Sequence, residues 1–151
     1  MTSDPEPERV VSAGRDIAAT AERLFELIAD PAQQPRWDGN DNLVEAVTAR
    51  RVNAIGDVFT MTTTNGVREN HVFEFEEGRR IAWRTAELGQ APPGHLWRWE
   101  LEPIDSLHTR VTHTFDWTQL TDPKRIPRAR ATTADKLRAS IDRLATLAEH
   151  E

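Results

Sequence analysis

Apolar and polar positions alternate at period two along two neighbouring stretches, from His95 to Leu101 and from Val111 to Trp117, the pattern of half-buried β-strands. His95, Trp97, Trp99 and Leu101 share a face of the first stretch, and Val111, His113, Phe115 and Trp117 share a face of the second. Arg98, Glu100, Thr112 and Asp116 point the other way. Pairing Leu101 with Val111 sets Trp99 opposite His113 and Trp97 opposite Phe115. A hairpin this aromatic needs a wide apolar cover.

The rest of the pattern supplies one. A strand is expected from Val10 to Ala18, then a helix over Ala21 to Ala29 with Thr20 as N-cap and Leu24, Phe25, Leu27 and Ile28 as its apolar stripe. Asp30-Pro31 ends that helix, and a second short helical piece through Gln33 and Gln34 is expected to stop before Pro35. Trp37 then opens a turn-rich stretch to Asn42. Five strands follow, or six, beginning with Leu43 to Val52 and Val58 to Thr64. Asn65-Gly66 signals a two-residue hairpin. As a type I′ turn it sets Thr64 opposite Val67, Phe59 opposite Val72 and Met61 opposite Asn70. The next turn, Glu77-Gly78, sets Val72 opposite Trp83, Glu74 opposite Ile81 and Arg68 opposite Glu87. Phe59, Val72 and Trp83 then form one inward row. Glu69 and His71 point outward with Thr60, Thr62 and Phe73, unless a bulge turns Phe73 in.

Ala86 to Gly94 reads as a loop, and Gln119 to Ala131 as an irregular stretch. The last helix is expected to begin at Thr132 or Thr133, where Thr132 with Asp135 resembles a capping box, and to run to about Glu149. Leu137, Ile141, Leu144 and Ala148 recur along it at i, i+4, i+7 and i+11. The order predicts an α+β fold: a curved antiparallel β-sheet wrapped around a long C-terminal helix, with two short helices after the first strand. Such a sheet leaves a gap against its helix where a small apolar ligand would sit.

A chain of 151 residues suits a single domain, 9–151, behind an acidic, Pro-rich tail, 1–8, read as disordered. Its formal net charge of −6 gives nucleic acid or an anionic membrane little purchase. The absence of cysteine excludes disulfides, thiol catalysis and thiolate metal sites. No apolar run approaches the ~20 residues of a membrane span. The N-terminus is unlike a signal peptide, so a cytoplasmic protein is expected, monomeric or homodimeric.

The chain resembles the START-like (SRPBCC) superfamily in its polyketide cyclase/dehydrase and lipid-transport branch, over about Val10 to Glu149. The resemblance rests on Ile17-Ala18 with Ala21-Glu22, the run from Leu24 to Pro31, and Trp37. It continues through Gly56 with Phe59, Arg80-Ile81-Ala82-Trp83, the Thr109-Arg-Val-Thr run, and the helix around Ala139 to Leu144. It implies a helix-grip fold with an apolar cavity between the sheet and the last helix, holding lipids, sterols, polyketides or hormones. Some members are aromatase/cyclases, but no catalytic signature here selects that branch.

Five histidines are present, none in a metal-ligand spacing, so neither a metal nor another cofactor is expected. His113, inward by parity, is the best candidate for chemistry, as a general acid/base with a pKa near neutrality. The competing reading is a hydrogen-bonded core histidine. Arg68, Asn70 and Thr85 are the other inward polar groups, with Asn70 able to fix a ligand oxygen and Arg68 to meet a carboxylate at the cavity mouth, or else to pair with Glu87. The expected ligand-binding wall joins Trp37, Phe59, Met61, Arg68, Asn70, Val72, Trp83 and Thr85 to His95, Trp97, Trp99, His113 and Phe115. Leu137, Ile141 and Leu144 face it from the helix. The arginines at 125, 128 and 130 suit either an anionic partner or a solvated loop. Three functions fit: binding of a small hydrophobic molecule, a polyketide cyclase/dehydratase activity, or a regulatory, co-chaperone-like module using the outer sheet face around Phe73.

Overall fold

In the computed structural model, residues 9–48 and 50–150 are described. The predicted tail, 1–8, lies outside them. The seven strands are β1 (Val10–Ile17), β2 (Leu43–Ala46), β3 (Val58–Thr63), β4 (Gly66–Glu76), β5 (Arg80–Glu87), β6 (Leu96–Pro103) and β7 (Thr109–Asp116). They form one antiparallel sheet in the order β1-β7-β6-β5-β4-β3-β2. The helices are α1 (Ala21–Ala29), α2 (Gln34–Trp37), α3 (Ile126–Ala131) and α4 (Ala134–His150). The curved sheet grips α4, the expected helix-grip fold.

The apolar stripes do what their periodicity requires. Leu24, Phe25, Leu27 and Ile28 of α1 are buried, as are Leu137, Ile141, Leu144 and Ala148 of α4. They join Ile17, Phe59, Val72, Ile81, Trp99 and Val111 in the core, each large side chain contributing about 1.5–3 kcal/mol by leaving water. Thr20 caps α1 through its hydroxyl, which accepts from Arg23 N. The central hairpin has the expected register, with Leu101 opposite Val111, Trp99 opposite His113 and Trp97 opposite Phe115.

The β3–β4 register differs from expectation. Phe59 pairs with Asn70, Met61 with Arg68, and Thr63 with Gly66. The chain reverses over Thr64 and Asn65, and the positive φ of +117° belongs to Gly66 rather than to Asn65, so the turn is not type I′. The slip is two residues, which preserves every side chain's face. Phe59 still reaches Trp83, edge-on at 5.2 Å.

Between β4 and β5 Val72 does face Trp83, but the ladder shifts at Phe73, so Glu74 pairs with Ala82 and Phe75 with Ile81. Unbulged, the strand would aim Glu74 into the core. The extra residue keeps Phe73 and Glu74 outside and turns Phe75 inward against Phe25 at 5.7 Å. Glu74 then forms a bidentate pair with Arg98 on the outer face, at 2.6 and 2.9 Å.

Four further expectations are corrected. The second helical piece runs through Pro35 to Trp37, because Pro35 occupies the first turn of α2, where its missing N–H has no intrahelical partner. β2 ends at Ala46 rather than Val52. Thr60 N there turns to the Thr48 hydroxyl at 2.7 Å, while Val47 N and Thr48 N both converge on Thr60 O. The stretch 119–131 contains α3, again opened by a proline. Thr132 does not form the capping box. It caps the end of α3, its hydroxyl donating to Arg128 O.

Candidate functional site

A cavity of about 180 Å³ opens between the inner face of β3–β7 and a cover built from α2, residues 38–43 and α3. Trp37, Trp83, Trp97, Trp99 and Phe115 supply its aromatic wall, with Met61 and Leu120. The rings interlock: Trp37 meets Trp99 edge-on at 5.1 Å, and Trp97 meets Phe115 at 4.4 Å. Trp37 Nε1 donates to Leu27 O at 2.8 Å, which fixes that indole from behind. Trp99 Nε1 is buried without a partner.

The cover is held by polar contacts. Both carboxylate oxygens of Asp38 accept backbone amides, from Asn40, Asn42 and Leu43. Gly39 N donates to the Ser140 hydroxyl at 2.9 Å, and Gly39 sits so close to α4 that a Cβ there would lie 2.6 Å from Ser140 N. Arg143 Nη1 reaches Asp38 O at 2.7 Å and Asp41 Oδ1 at 2.6 Å.

His113 is buried, with Nδ1 2.9 Å from Arg98 O. A carbonyl only accepts, so Nδ1 carries the proton and Nε2 is left as an acceptor. Desolvation drives its pKa down to about 4, well below the near-neutral value expected, and at pH 7 the imidazole is uncharged. His95 is also held down at about 4, by burial first and then by the charges of Arg125, Arg128 and Arg84. Asn70 Oδ1 accepts from the Thr85 hydroxyl at 2.8 Å, pairing two inward polar groups across β4 and β5. Among the described residues no group of three His, Cys, Asp or Glu is placed to hold a metal ion.

Residues 8–149 match the family described as polyketide cyclase / dehydrase and lipid transport. The chain belongs to this family. An uncharacterized protein of Mycobacterium tuberculosis is 30% identical over 118 residues, which cover 76% of this chain and 50% of that protein. The chain thus spans about half the length of the curated relatives it matches. A START superfamily protein from Mycobacterium smegmatis superposes with a TM-score of 0.69 at 18% identity, covering 93% of this chain and 97% of that one. The Aha1 dimer from Colwellia psychrerythraea gives 0.67 at 16% identity, covering 93% and 96%. Likeness at such low identity speaks for the fold alone. Among the described residues no helix is long and apolar enough to cross a membrane.

Within this polyketide cyclase/dehydrase and lipid-transport fold, the cavity gathers most of the residues singled out from the sequence. Trp37, Met61, Arg68, Asn70, Trp83, Thr85, His95, Trp97, Trp99, His113 and Phe115 all line it. Phe59, Val72, Leu137, Ile141 and Leu144 do not. They fill the core instead, because α4 packs directly on the sheet and sends only Ser140 to the cavity wall. The space lies beside that helix, toward α2 and α3. Sequence reasoning missed the cover, Asp38, Asn40, Asn42 and Leu43, together with Ala129 of α3, and it singled out Arg125 and Arg128 for an anionic partner without placing them at the cavity. The acidic and Asn-rich run after Trp37 was its one visible signal.

Proposed function

We propose that this protein binds a small, largely apolar molecule in the cavity beneath Trp97 and Trp99. The observation that carries the reading is the aromatic wall around a partly open space of about 180 Å³. For scale, an apolar cavity of about 150 Å³ takes up benzene, so the space suits a body of one or two rings. Burying such a body against indole faces supplies the affinity, at about 25 cal/mol per Å² of apolar surface removed from water. The uncharged His113 and the Asn70–Thr85 pair supply orientation, as an acceptor and a fixed polar spot on an otherwise apolar wall. A histidine held near pKa 4 lacks the proton of a general acid at pH 7, and this favours binding over the cyclase/dehydratase reading.

A graded panel tests the proposal: one- and two-ring aromatics, uncharged members included, with fatty acids, sterols and polyphenols. Binding is followed by tryptophan fluorescence and thermal unfolding. A ligand at a hundred times its Kd raises stability by about 2.7 kcal/mol, which appears as a higher melting temperature. No quenching and no stabilisation across the panel would end the reading.

A further inference from the structure

The cavity is chemically lopsided. Its wall is aromatic, yet the ionisable groups lining it besides the two histidines are Arg68, Arg125, Arg128 and Asp38. Asp38 is occupied, since its carboxylate accepts three backbone amides of the cover. A protein with a formal net charge of −6 therefore presents net positive charge inside this one opening.

Among the described residues, two of these arginines have no carboxylate partner. Arg68 lies across from Glu87 in the β4–β5 ladder, but the Glu87 carboxylate turns to Arg125 at 3.6 Å. Arg68 donates instead to the carbonyls of Val67 and Asn65 in the adjacent turn, at 3.1 and 3.3 Å. Among the described residues Arg128 reaches the side-chain oxygen of Asn42, at 3.2 Å when that amide is oriented to donate to Asp38. Arg125 is shared loosely between Glu87 at 3.6 Å and Asp122 at 3.5 Å. The same field is felt inside the cavity, where Arg125 and Arg128 help to keep His95 uncharged.

Guanidinium groups without counter-ions beside a low-dielectric pocket favour an anion, which each can meet with two parallel N–H donors. Resting on the cavity being a binding site, we infer that the ligand is an aromatic acid. Its ring system enters the tryptophan wall and its carboxylate remains at the mouth between Arg68 on β4, Arg125 at the start of α3 and Arg128 on α3. The aromatic cavity wall selects the ring, and the arginines select the charge.

Calorimetry with 2-naphthoate and its uncharged counterpart 2-naphthamide tests the inference on the full chain. The acid should bind about tenfold more tightly than the amide at low salt, as a hydrogen-bonded charge pair warrants, and the preference should shrink as ionic strength rises. In the double variant R68Q/R128Q the acid-over-amide preference should fall to about twofold or less, with thermal unfolding showing that the variant is folded. Equal Kd values for acid and amide in the native protein overturn the inference while leaving the cavity a binding site. A preference that survives in the double variant overturns it too. Failure of both probes also overturns it, and the uncharged members of the panel described above then decide whether the cavity reading falls with it.

Discussion

The imidazole of His113 stacks on the indole of Trp99, with ring centroids 3.7 Å apart and planes 14° from parallel. Trp97 lies nearly parallel as well, at 5.9 Å and 21°. The stack excludes water from the imidazole, and Arg98 O engages Nδ1, so the ring is held in one orientation and one neutral tautomer. A residue that alternation singles out as the polar member of an aromatic face is thereby made a rigid part of it.

The stack predicts a stability profile. Unfolded, His113 titrates near 6.5, whereas folded it titrates near 4. Between those values the unfolded chain binds a proton that the folded chain refuses, so stability is complete above pH 6.5 and declines as pH falls toward 4. By pH 5 the loss from His113 is about 2 kcal/mol. His95 acts in the same direction. Urea unfolding at pH 7.5 and 5.0 should show a lower midpoint at the acid value, and His113→Phe should flatten part of that difference. A midpoint independent of pH over this range would contradict a buried neutral imidazole.

Two tryptophans in contact should respond unequally to the same substitution. Trp37 Nε1 is bonded to Leu27 O, whereas Trp99 Nε1 is buried with no partner. Trp37→Phe loses that bond and leaves a buried carbonyl short of one donor, costing about 2–3 kcal/mol. Trp99→Phe removes an unsatisfied N–H whose burial itself costs about 1–3 kcal/mol, which offsets much of the lost ring area. Denaturant titration should find Trp37→Phe the more damaging of the two. The reverse order would mean that Trp99 Nε1 finds a partner in solution.

Much of this wall was legible in the sequence, for a reason that Phe59 makes clear. Its predicted partner was Val72 and its real one is Asn70, but an error of two residues keeps parity, and parity decides which side chains share a face. Trp97, Trp99 and His113 were legible more directly, because alternation and a short hairpin leave few ways to pair them. The cover was not legible. Asp38 to Leu43 is shaped by Ser140 and Arg143, about a hundred positions away, and no local pattern encodes such a contact. Pro123 and Pro127 likewise disguised α3, since a proline reads as a breaker unless its place in the first turn is known.

Gly39 is where the cover is most exposed to mutation. A Cβ there would fall 2.6 Å from Ser140 N and 2.8 Å from Ala139 Cβ, and neither can swing away, as one is helix backbone and the other a methyl fixed to it. Gly39→Ala should lift residues 38–42 from α4 and cost about 1–3 kcal/mol as overpacking. Ser140→Ala removes only the hydroxyl that accepts from Gly39 N and should cost about 1 kcal/mol. Thermal unfolding ranks the two, and an unaffected Gly39→Ala would mean that the loop is not seated on the helix.

The outer face gives a contrasting expectation. Phe73, left on the outer face at the bulge, is 45% exposed and lies beneath the Arg84 guanidinium at 4.5 Å. Phe73→Ser should change stability by no more than about 1 kcal/mol, the scale of an exposed cation–π contact, and leave ligand binding intact. It is also the variant that bears on a co-chaperone-like role. Loss of a defined partner on Phe73→Ser, with the cavity still functional, would favour that role over ligand binding alone.

Arg143 separates global stability from the local order of the cover. Its guanidinium is bidentate to Asp41 and also donates to Asp38 O, and Asp41 holds a φ of +55°, a conformation that a non-glycine side chain adopts at a cost. The pair is exposed, so screening by water leaves it little influence on the folding equilibrium. Its role is to keep Asp41, and with it Asn40, Asn42 and Leu43, in the conformation whose amides converge on Asp38. Arg143→Ala should therefore leave the melting temperature nearly unchanged while hydrogen exchange at the amides of Asn40, Asn42 and Leu43 accelerates. Ligands that bury themselves under this loop should bind the variant more weakly, because the loop must then be ordered on binding. Unaltered exchange would show that the Asp38 carboxylate holds the cover without help from α4.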